Sequence, residues 1–259
     1  MLHFDPHLNL RTITLVGCGG TGAQVARSLA RMVYDLRETR RQAPQIVLID
    51  PDVVETHNVG RQLFTEADVG QPKAQVLMRR FNLALGLNMI AICEPVDAER
   101  QFERWGNLIV GCVDNHLARQ TLSQVSDAVW IDAGNHASAG QVVIGNSGDR
   151  DRVLRQLKGR DDQLSYLPHA GLLFPALLEP EVESAPQPGL SCGQLVAARS
   201  QDLLVNDWMA VVTAQYIYQM LHRQPIQSFI SFISSDALSV RSIPITPEEI
   251  RTRLEANAS

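Results

Sequence analysis

Between residues 50 and 73, four polar side chains follow an acidic one: Asn58, Arg61, Gln62 and Lys73 come after Asp50. The arginine offers a planar fork of donors, the lysine a compact positive charge, and the two amides neutral donors. Any one of them alone is typical of a solvated loop. Four together in a long loop indicate a site that stabilises negative charge on phosphates. We therefore predict that these residues bind ATP while its α-phosphate is attacked.

Upstream of this loop, glycines form a Gly-x-Gly-x-x-Gly pattern directly after an apolar segment, at Gly17, Gly19, Gly20 and Gly22. Such a turn brings the backbone close to a phosphate and directs the N-terminus of the following helix at it, where a side chain would block the approach. A tight turn without any ligand also uses glycine. The strand before the turn and the helix after it favour nucleotide binding.

Two aspartates follow the second apolar segment of the chain. Asp50 stands at its end, where an acid commonly accepts hydrogen bonds from ribose hydroxyls, although a surface turn beside Pro51 would also use aspartate. For Asp52 two interpretations stay open. It either positions the nucleotide or a metal ion, or shapes the loop.

A third acidic position, Asp114, follows another predicted strand at its carboxyl end, the edge where ligands bind in open α/β sheets. A carboxylate there can hold Mg²⁺ that bridges phosphates. The alternative is that Asp114 caps the next helix. Because Asn115 is equally suited to capping, we expect Asn115 to cap the helix and Asp114 to serve the metal.

Buried strands alternate with amphipathic helices as far as about residue 145, which predicts a doubly wound, Rossmann-like α/β fold with a mostly parallel sheet and a C-terminal antiparallel extension. The predicted strands cover residues 12–17, 45–50, 89–95, 108–113, 129–133 and 141–144. The predicted helices begin at residues 21, 73, 116 and 149, with a short one at 102–105.

We expect a single domain over residues 1–259, with a nucleotide-binding core at 11–145. A crossover loop region is predicted at 146–190, where Pro, Gly and Glu are frequent after Pro168. Residues 191–259 are predicted to form a long helix, a β-hairpin at 229–243 and a terminal helix that starts with proline at its first position.

Composition excludes several classes of protein. The net charge of -5 and the lack of a basic run argue against non-specific nucleic-acid binding. No apolar run approaches the roughly 20 residues that span a membrane, and the polar N-terminus does not resemble a signal peptide, so we expect a cytoplasmic protein. The cysteines, 18, 93, 112 and 192, form no CxxC pair, and we expect neither zinc nor disulfides.

In their order along the chain, these motifs resemble the ThiF/MoeB/HesA family, the E1-like enzymes that activate ubiquitin and ubiquitin-like sulfur carriers. The resemblance covers most of residues 11–145 and rests on GCGGTG at 17–22, DPDVVETHNVGRQ at 50–62, GQPKA at 70–74 and CVDN at 112–115. Length and single-domain layout are most similar to the ThiF-family proteins of bacterial PRTRC gene systems.

The resemblance implies that the protein dimerises and uses ATP and Mg²⁺ to adenylate the C-terminal glycine carboxylate of a small ubiquitin-like, β-grasp protein. The implied roles, carried over by position, are phosphate binding by Gly19, Gly20, Gly22, Asn58, Arg61, Gln62 and Lys73, ribose binding by Asp50 and Mg²⁺ binding by Asp114. Many relatives carry paired CxxC motifs for zinc and an N-terminal Arg-Tyr-x-Arg-Gln-like motif, and both are missing here.

Cys192 has two interpretations. E1 enzymes often use a cysteine to take the activated carboxyl as a thioester, and Cys192 stands where the long helix is predicted to begin. A helix N-terminus lowers the pKa of a thiol and favours the nucleophilic thiolate. A small buried residue would fit the same position.

Two other functions fit part of the pattern. A nicotinamide-dependent oxidoreductase would also use the glycine turn and Asp50, but it would leave Arg61, Lys73 and Asp114 unexplained. A non-catalytic E1-like scaffold would keep the fold without needing the polar set.

Overall fold

In the computed structural model, which describes residues 2–6, 9–39, 42–159, 161–180 and 203–256, eight strands form one mixed sheet in the order β10-β9-β7-β6-β5-β2-β3-β4. The strands are β1 (His3–Phe4), β2 (Thr12–Val16), β3 (Gln45–Ile49), β4 (Ile90–Ile92), β5 (Asn107–Gly111), β6 (Ala128–His136), β7 (Ala139–Gly145), β8 (Gln163–Leu164), β9 (Ser228–Ser234) and β10 (Ser239–Pro244). The helices are α1 (Gly20–Glu38), α2 (Lys73–Leu85), α3 (His116–Ser123), α4 (Arg150–Gln156), α5 (Ala170–Leu173), α6 (Val205–Leu221) and α7 (Pro247–Ala256).

The sheet confirms the doubly wound α/β prediction. Strands β6, β5, β2, β3 and β4 pair in parallel, while β7, β9 and β10 continue the sheet in antiparallel pairs. The chain passes from β2 to β3 on one side and later returns to β5 on the other side of β2. Ligands bind at such a reversal of strand order, outside the carboxyl ends of the strands.

The central strands form because their residues are mostly apolar or β-branched. Every residue of β2 and of β5 is buried, as expected of parallel strands that are covered on both faces. Helix α1 buries one stripe, including Val25, Leu29 and Val33, and packs against α6. This packing places the N-terminus of α1 next to the first turn of α6, at the carboxyl edge of the sheet.

Two predicted details are wrong. Residues 102–105 form bends rather than a short helix. Just before them the Asp97 carboxylate accepts hydrogen bonds from the backbone N–H groups of Glu99 and Arg100, and just after them the chain turns at Gly106 with a φ of 80°. The local turn bonds compete with helix formation.

The other wrong detail lies in the segment predicted as a loop from Pro168 onward, which begins with two short helical segments, α5 and a 3-10 turn at Pro175–Leu178. His169 caps the first and Pro175 starts the second, so residues typical of loops serve here as helix starts. The predicted beginning of the long helix, together with Cys192, lies outside the described residues. Residues 203 and 204 form a turn, and α6 begins at Val205 with Leu204 as its N-cap.

Among the described helices, none is both long and apolar enough to cross a lipid bilayer.

His169 makes the stability of the fold depend on pH. Its Nδ1 accepts a hydrogen bond of 3.2 Å from the Leu172 N–H at the start of α5, and burial lowers its pKa below the usual 6.5. The unfolded chain therefore takes up a proton at a higher pH than the native state does. We expect stability to be complete above pH ~6.5 and to fall below it, by at most about 1.4 kcal/mol per pH unit from this residue.

Urea unfolding at pH 7.5 and 5.5, in wild type and His169→Asn, measures this effect. Asparagine keeps a capping oxygen without titrating, so the variant should lose less free energy of unfolding between the two pH values. An equal loss in both proteins would remove His169 as the cause.

Candidate active site

The glycine turn connects β2 to α1 and packs against the end of β5. Gly17 has a φ of 89°, and a Cβ there would collide with the carbonyl oxygen of Cys112. A Cβ on Gly22 would collide with the carbonyl oxygen of Gly17. These two glycines are therefore required by the turn itself, whether or not a ligand binds.

Gly19 is different, because its surroundings are open. A Cβ there would meet a described atom no closer than Gln62 Nε2, at 3.8 Å. Gly19 is also the N-cap of α1, with no side-chain capping bond, and the first turn carries no acidic residue. Among the described residues, the N-terminus of this 19-residue helix is thus open at Gly19, and its first N–H groups form the kind of helix end that binds phosphate in nucleotide-binding folds.

Asp50 lies beneath this turn. Its Oδ2 accepts a 2.5 Å hydrogen bond from the Cys18 N–H, and its Oδ1 accepts a 2.8 Å bond from the Asp52 N–H. The residue is 4% exposed. Burial raises the pKa of Asp50, while the two N–H donors and Lys73 act to lower it. Asp50 thus fixes the turn and the start of the loop, and ribose binding stays a prediction.

The loop from residue 51 to 72 is closed at its base by backbone pairing. Lys73 donates its N–H to the Asp52 carbonyl at 2.9 Å, and Val54 and Gly70 complete the pairing. Inside the loop, Val54 and Phe64 are buried in the core. A loop that is anchored in this way holds its polar side chains in defined places.

Lys73 is paired with Asp52. Its Nζ lies 2.9 Å from Asp52 Oδ2, and its side chain is 10% exposed against 64% for the aspartate. Of the two interpretations of Asp52, the structure therefore supports the second, in which Asp52 shapes the loop. Its carboxylate pairs with the charge of Lys73. An incoming phosphate would compete with Asp52 for Lys73.

The amides of the loop differ in what they bond. Asn58 is buried, and its Oδ1 accepts a 2.9 Å hydrogen bond from the Glu55 N–H, which fixes the loop. Gln62 extends over the glycine turn, and its buried Oε1 has no hydrogen-bond partner among the described residues. A buried amide oxygen without a partner is unfavourable and usually marks a place for water, an ion or a ligand. Arg61 is exposed at the edge of the same loop.

Asn115 caps α3 as predicted, whereas the metal-binding role of Asp114 stays a prediction. Asn115 is the N-cap of α3, and its Oδ1 accepts a 2.8 Å hydrogen bond from the Ala118 N–H. Asp114 is exposed beside it, two residues after the Cys112 that packs on Gly17. The described residues contain no group of three or more His, Cys, Asp or Glu side chains that could hold a metal ion by themselves.

A buried ion pair between Arg119 and Asp132 supports the backbone just before Asp114, and it was not predicted from the sequence. Arg119 Nε lies 3.3 Å from Asp132 Oδ1, and Arg119 Nη2 donates to the Val113 carbonyl at 2.6 Å. Asp132 is completely buried, which raises its pKa, while Arg119 lowers it. An aspartate in the middle of an apolar strand is the signal that could have revealed the pair.

Asn206 and Asn135 were missed as well. Asn206, at the start of α6, accepts hydrogen bonds on its Oδ1 from the Thr21 hydroxyl at 3.0 Å and from Asn135 Nδ2 at 2.9 Å. Thr21 is in the first turn of α1 and Asn135 near the end of β6. A polar residue at the start of a mostly apolar helix could have indicated a buried hydrogen bond there. Its partners, however, could not be predicted from the sequence.

The described cysteines do not supply a nucleophile at the turn. Burial raises the pKa of Cys18 well above its usual value, and the same holds for Cys112, so both thiols stay protonated. Cys93 is exposed, after the end of β4. Cys192 is outside the described residues.

The glycines give a stability test. Gly22→Ala should lower the free energy of unfolding by at least about 2 kcal/mol, because its Cβ has no room. Gly19→Ala, whose Cβ meets open space, should stay within about 1 kcal/mol of wild type. Urea unfolding of the two variants compares them directly. Equal losses would contradict the open position of Gly19.

The buried pair gives a second test. Arg119→Met leaves Asp132 buried without its partner and should lower the free energy of unfolding by about 3 kcal/mol. Adding Asp132→Leu removes the unpaired carboxyl, so the double variant should be more stable than Arg119→Met. A double variant that loses the sum of both single losses would show that the residues are not coupled.

The chain is similar to known proteins in sequence and in fold. A model described as the ThiF family matches residues 6–241. The NEDD8-activating enzyme E1 catalytic subunit of Saccharomyces cerevisiae is 32% identical over 71 residues, 27% of this chain and 21% of that protein. The SAMP-activating enzyme E1 of Haloferax volcanii is 30% identical over 120 residues, 44% of this chain and 40% of that protein.

Crystal structures of MccB from E. coli share the fold. MccB with ATP matches with a TM-score of 0.59 at 18% identity, over 92% of this chain and 64% of MccB. MccB with AMPCPP and MccA matches with a TM-score of 0.56 at 17% identity, over 91% and 64%. The chain thus covers less than two thirds of each of these proteins. On the family match across residues 6–241, the chain belongs to the ThiF family.

Proposed function

We propose that the protein is an E1-like adenylyltransferase that uses ATP to activate the C-terminal glycine carboxylate of a small ubiquitin-like, β-grasp protein. The observation that carries the proposal is the N-terminus of α1 at Gly19, which is open and without a side-chain cap among the described residues, with the donor Nε2 of Gln62 beside it. Supporting observations are the two relatives named as activating enzymes and the MccB structures that hold ATP or its analogue.

The glycine turn and the loop contribute different contacts to ATP. Backbone N–H groups at Gly19, Gly20 and Gly22 bind phosphate oxygens at the helix N-terminus. Arg61 and Lys73 add positive charge, and Lys73 exchanges its bond to Asp52 for one to a phosphate. Asn58 and Gln62 complete the polar wall, and Asp50 accepts from the ribose with the lone pairs that its two backbone donors leave.

The chemistry requires alignment and charge stabilisation more than proton transfer. An oxygen of the ionised carboxylate attacks the α-phosphorus, a new O–P bond forms, and the bond from the α-phosphorus to the bridging oxygen breaks. Pyrophosphate leaves with that electron pair, so negative charge grows on the departing phosphates. Fixed cations and N–H donors placed before the reaction stabilise this charge.

Mg²⁺ fits the donor set. This cation is usually held by one or two carboxylates together with substrate phosphates and water, so one exposed carboxylate is sufficient from the protein. Asp114 is exposed, its neighbour Asn115 does the capping, and the turn is held by Arg119. When bound, Mg²⁺ neutralises charge on the phosphates. No zinc is part of the proposal.

The later steps and the assembly belong to the same proposal. The thiolate of Cys192 attacks the acyl-adenylate, a C–S bond forms and the C–O bond to AMP breaks, so AMP leaves and a thioester remains. In the alternative, sulfide or another nucleophile attacks the same carbonyl and releases AMP directly. The protein works as a homodimer in the cytoplasm, and neither nucleic acid nor membrane is its partner.

Pyrophosphate exchange tests the proposal. The protein is incubated with ATP, Mg²⁺, labelled pyrophosphate and candidate ubiquitin-like proteins encoded by neighbouring genes. We expect wild type to incorporate label into ATP, and Gly19→Ala, Arg61→Ala and Asp114→Asn to lose at least about 100-fold of the exchange rate, because each removes a group or a space that the phosphates need.

Matched controls are Arg251→Ala and Asp151→Asn, which remove the same kinds of charge from the exposed faces of α7 and α4. Both should exchange like wild type. Absence of exchange with every candidate, together with tight NAD binding, would favour the oxidoreductase. Full exchange in Arg61→Ala and Asp114→Asn would remove these residues from the site.

A further inference from the structure

We infer that Asn206 is a further phosphate-binding residue of this site, which donates a hydrogen bond from its Nδ2 to an oxygen of the nucleotide bound at the N-terminus of α1. The inference rests on the proposed function for the identity of the ligand. It assigns a role to a residue 144 positions beyond Gln62, on a helix that the motifs do not include.

The orientation of the Asn206 amide is fixed by its partners. Thr21 Oγ1 donates to Oδ1 at 3.0 Å and Asn135 Nδ2 donates to the same oxygen at 2.9 Å. The Thr21 hydroxyl pairs with either end of an amide, but a flipped Asn206 amide would place an NH₂ group against the Nδ2 of Asn135, so the bond from Asn135 determines which end is the oxygen. The Nδ2 donors must therefore point away from Thr21 and Asn135.

The Asn206 amide lies against the glycine turn. A Cβ on Gly20 would lie 2.6 Å from Asn206 Nδ2 and 2.8 Å from its Cγ. Gly20 is thus a glycine because this amide occupies the space that a side chain would need. Both hydrogen bonds that the Asn206 side chain makes with described residues end on Oδ1, so its Nδ2 is a donor with no partner among them, beside the first turn of α1.

The position also couples three elements around the ligand. Asn206 bonds to the first turn of α1 and to the end of β6 and belongs itself to the first turn of α6, and α1 and α6 pack along their length. A neutral donor suits this place, because a phosphate bound at the helix N-terminus would be repelled by a carboxylate. Binding of phosphate by N–H groups and by Nδ2 would stabilise the same arrangement of the three elements.

The test is Asn206→Asp, which keeps an oxygen for Thr21 and Asn135 but replaces the Nδ2 donor with a negative charge. We expect Mg-ATP, measured by isothermal titration calorimetry, to bind at least about tenfold more weakly than to wild type, since hydrogen bonds to charged groups are among the stronger ones. The melting temperature without nucleotide should stay close to that of wild type.

Asn88→Asp is the matched control. It adds the same charge just before β4, at the amino end of that strand, whereas the site lies at the carboxyl ends of the strands. The variant keeps the oxygen that accepts a hydrogen bond from Arg37. It should bind ATP like wild type. Asn206→Ser, which removes the amide without adding charge, should bind more weakly than wild type and supplies the answer if Asn206→Asp does not fold.

The outcomes separate the two proposals. If wild type binds ATP and both Asn206 variants bind it equally well, Asn206 is structural and the inference is overturned while the proposed function stands. If wild type and Asn88→Asp both fail to bind ATP, the proposed function and the inference fall together.

Discussion

The buried carboxylate of Asp50 is the constraint on which the site depends. It accepts the N–H of Cys18 from the glycine turn and the N–H of Asp52 from the following loop, so one side chain at the end of β3 sets the position of both. Burial raises the pKa of Asp50 and the two donors lower it. Because Asp50 is buried among residues such as Cys18 and Ile49, loss of either donor would leave an oxygen that water cannot easily reach.

The four glycines of the turn have different physical reasons for being glycine. Gly17 and Gly22 are needed because the backbone passes too close to other carbonyls for a Cβ, and Gly20 because Asn206 lies against it. At Gly19 the described residues leave space for a Cβ. Glycine is a favoured N-cap residue, and at this position it also leaves room for the close approach of another molecule.

Charge around the site is largely balanced within the protein before any ligand binds. Lys73 is paired with Asp52, and Arg119 with Asp132. The first pair has an exposed acid and can open toward solvent, whereas the second is closed and supports the backbone next to Asp114. One pair is thus suited to exchange its partner for a phosphate, and the other is suited to hold a turn in place.

The sequence alone determined the parts of this protein that depend on local patterns. Segments rich in apolar and β-branched residues gave the buried strands, and the glycine spacing gave the turn and the start of α1. The capping of α3 by Asn115 followed from the capping preference of asparagine. Bends at residues 102–105 and helices after Pro168 were misjudged because side-chain bonds and caps outweigh composition over a few residues.

The tertiary structure decided what joins distant positions. Asn206 meets Thr21 across 185 residues, and Arg119 meets Asp132 across 13, and no spacing rule relates them. Lys73 and Gln62 were predicted from the sequence as members of a phosphate-binding set, which stays a prediction. Packing determined that the lysine is paired with Asp52 and that the amide oxygen of Gln62 has no partner among the described residues. Contacts of this kind follow from how helices and strand ends converge at one edge of the sheet, which is a property of the folded chain.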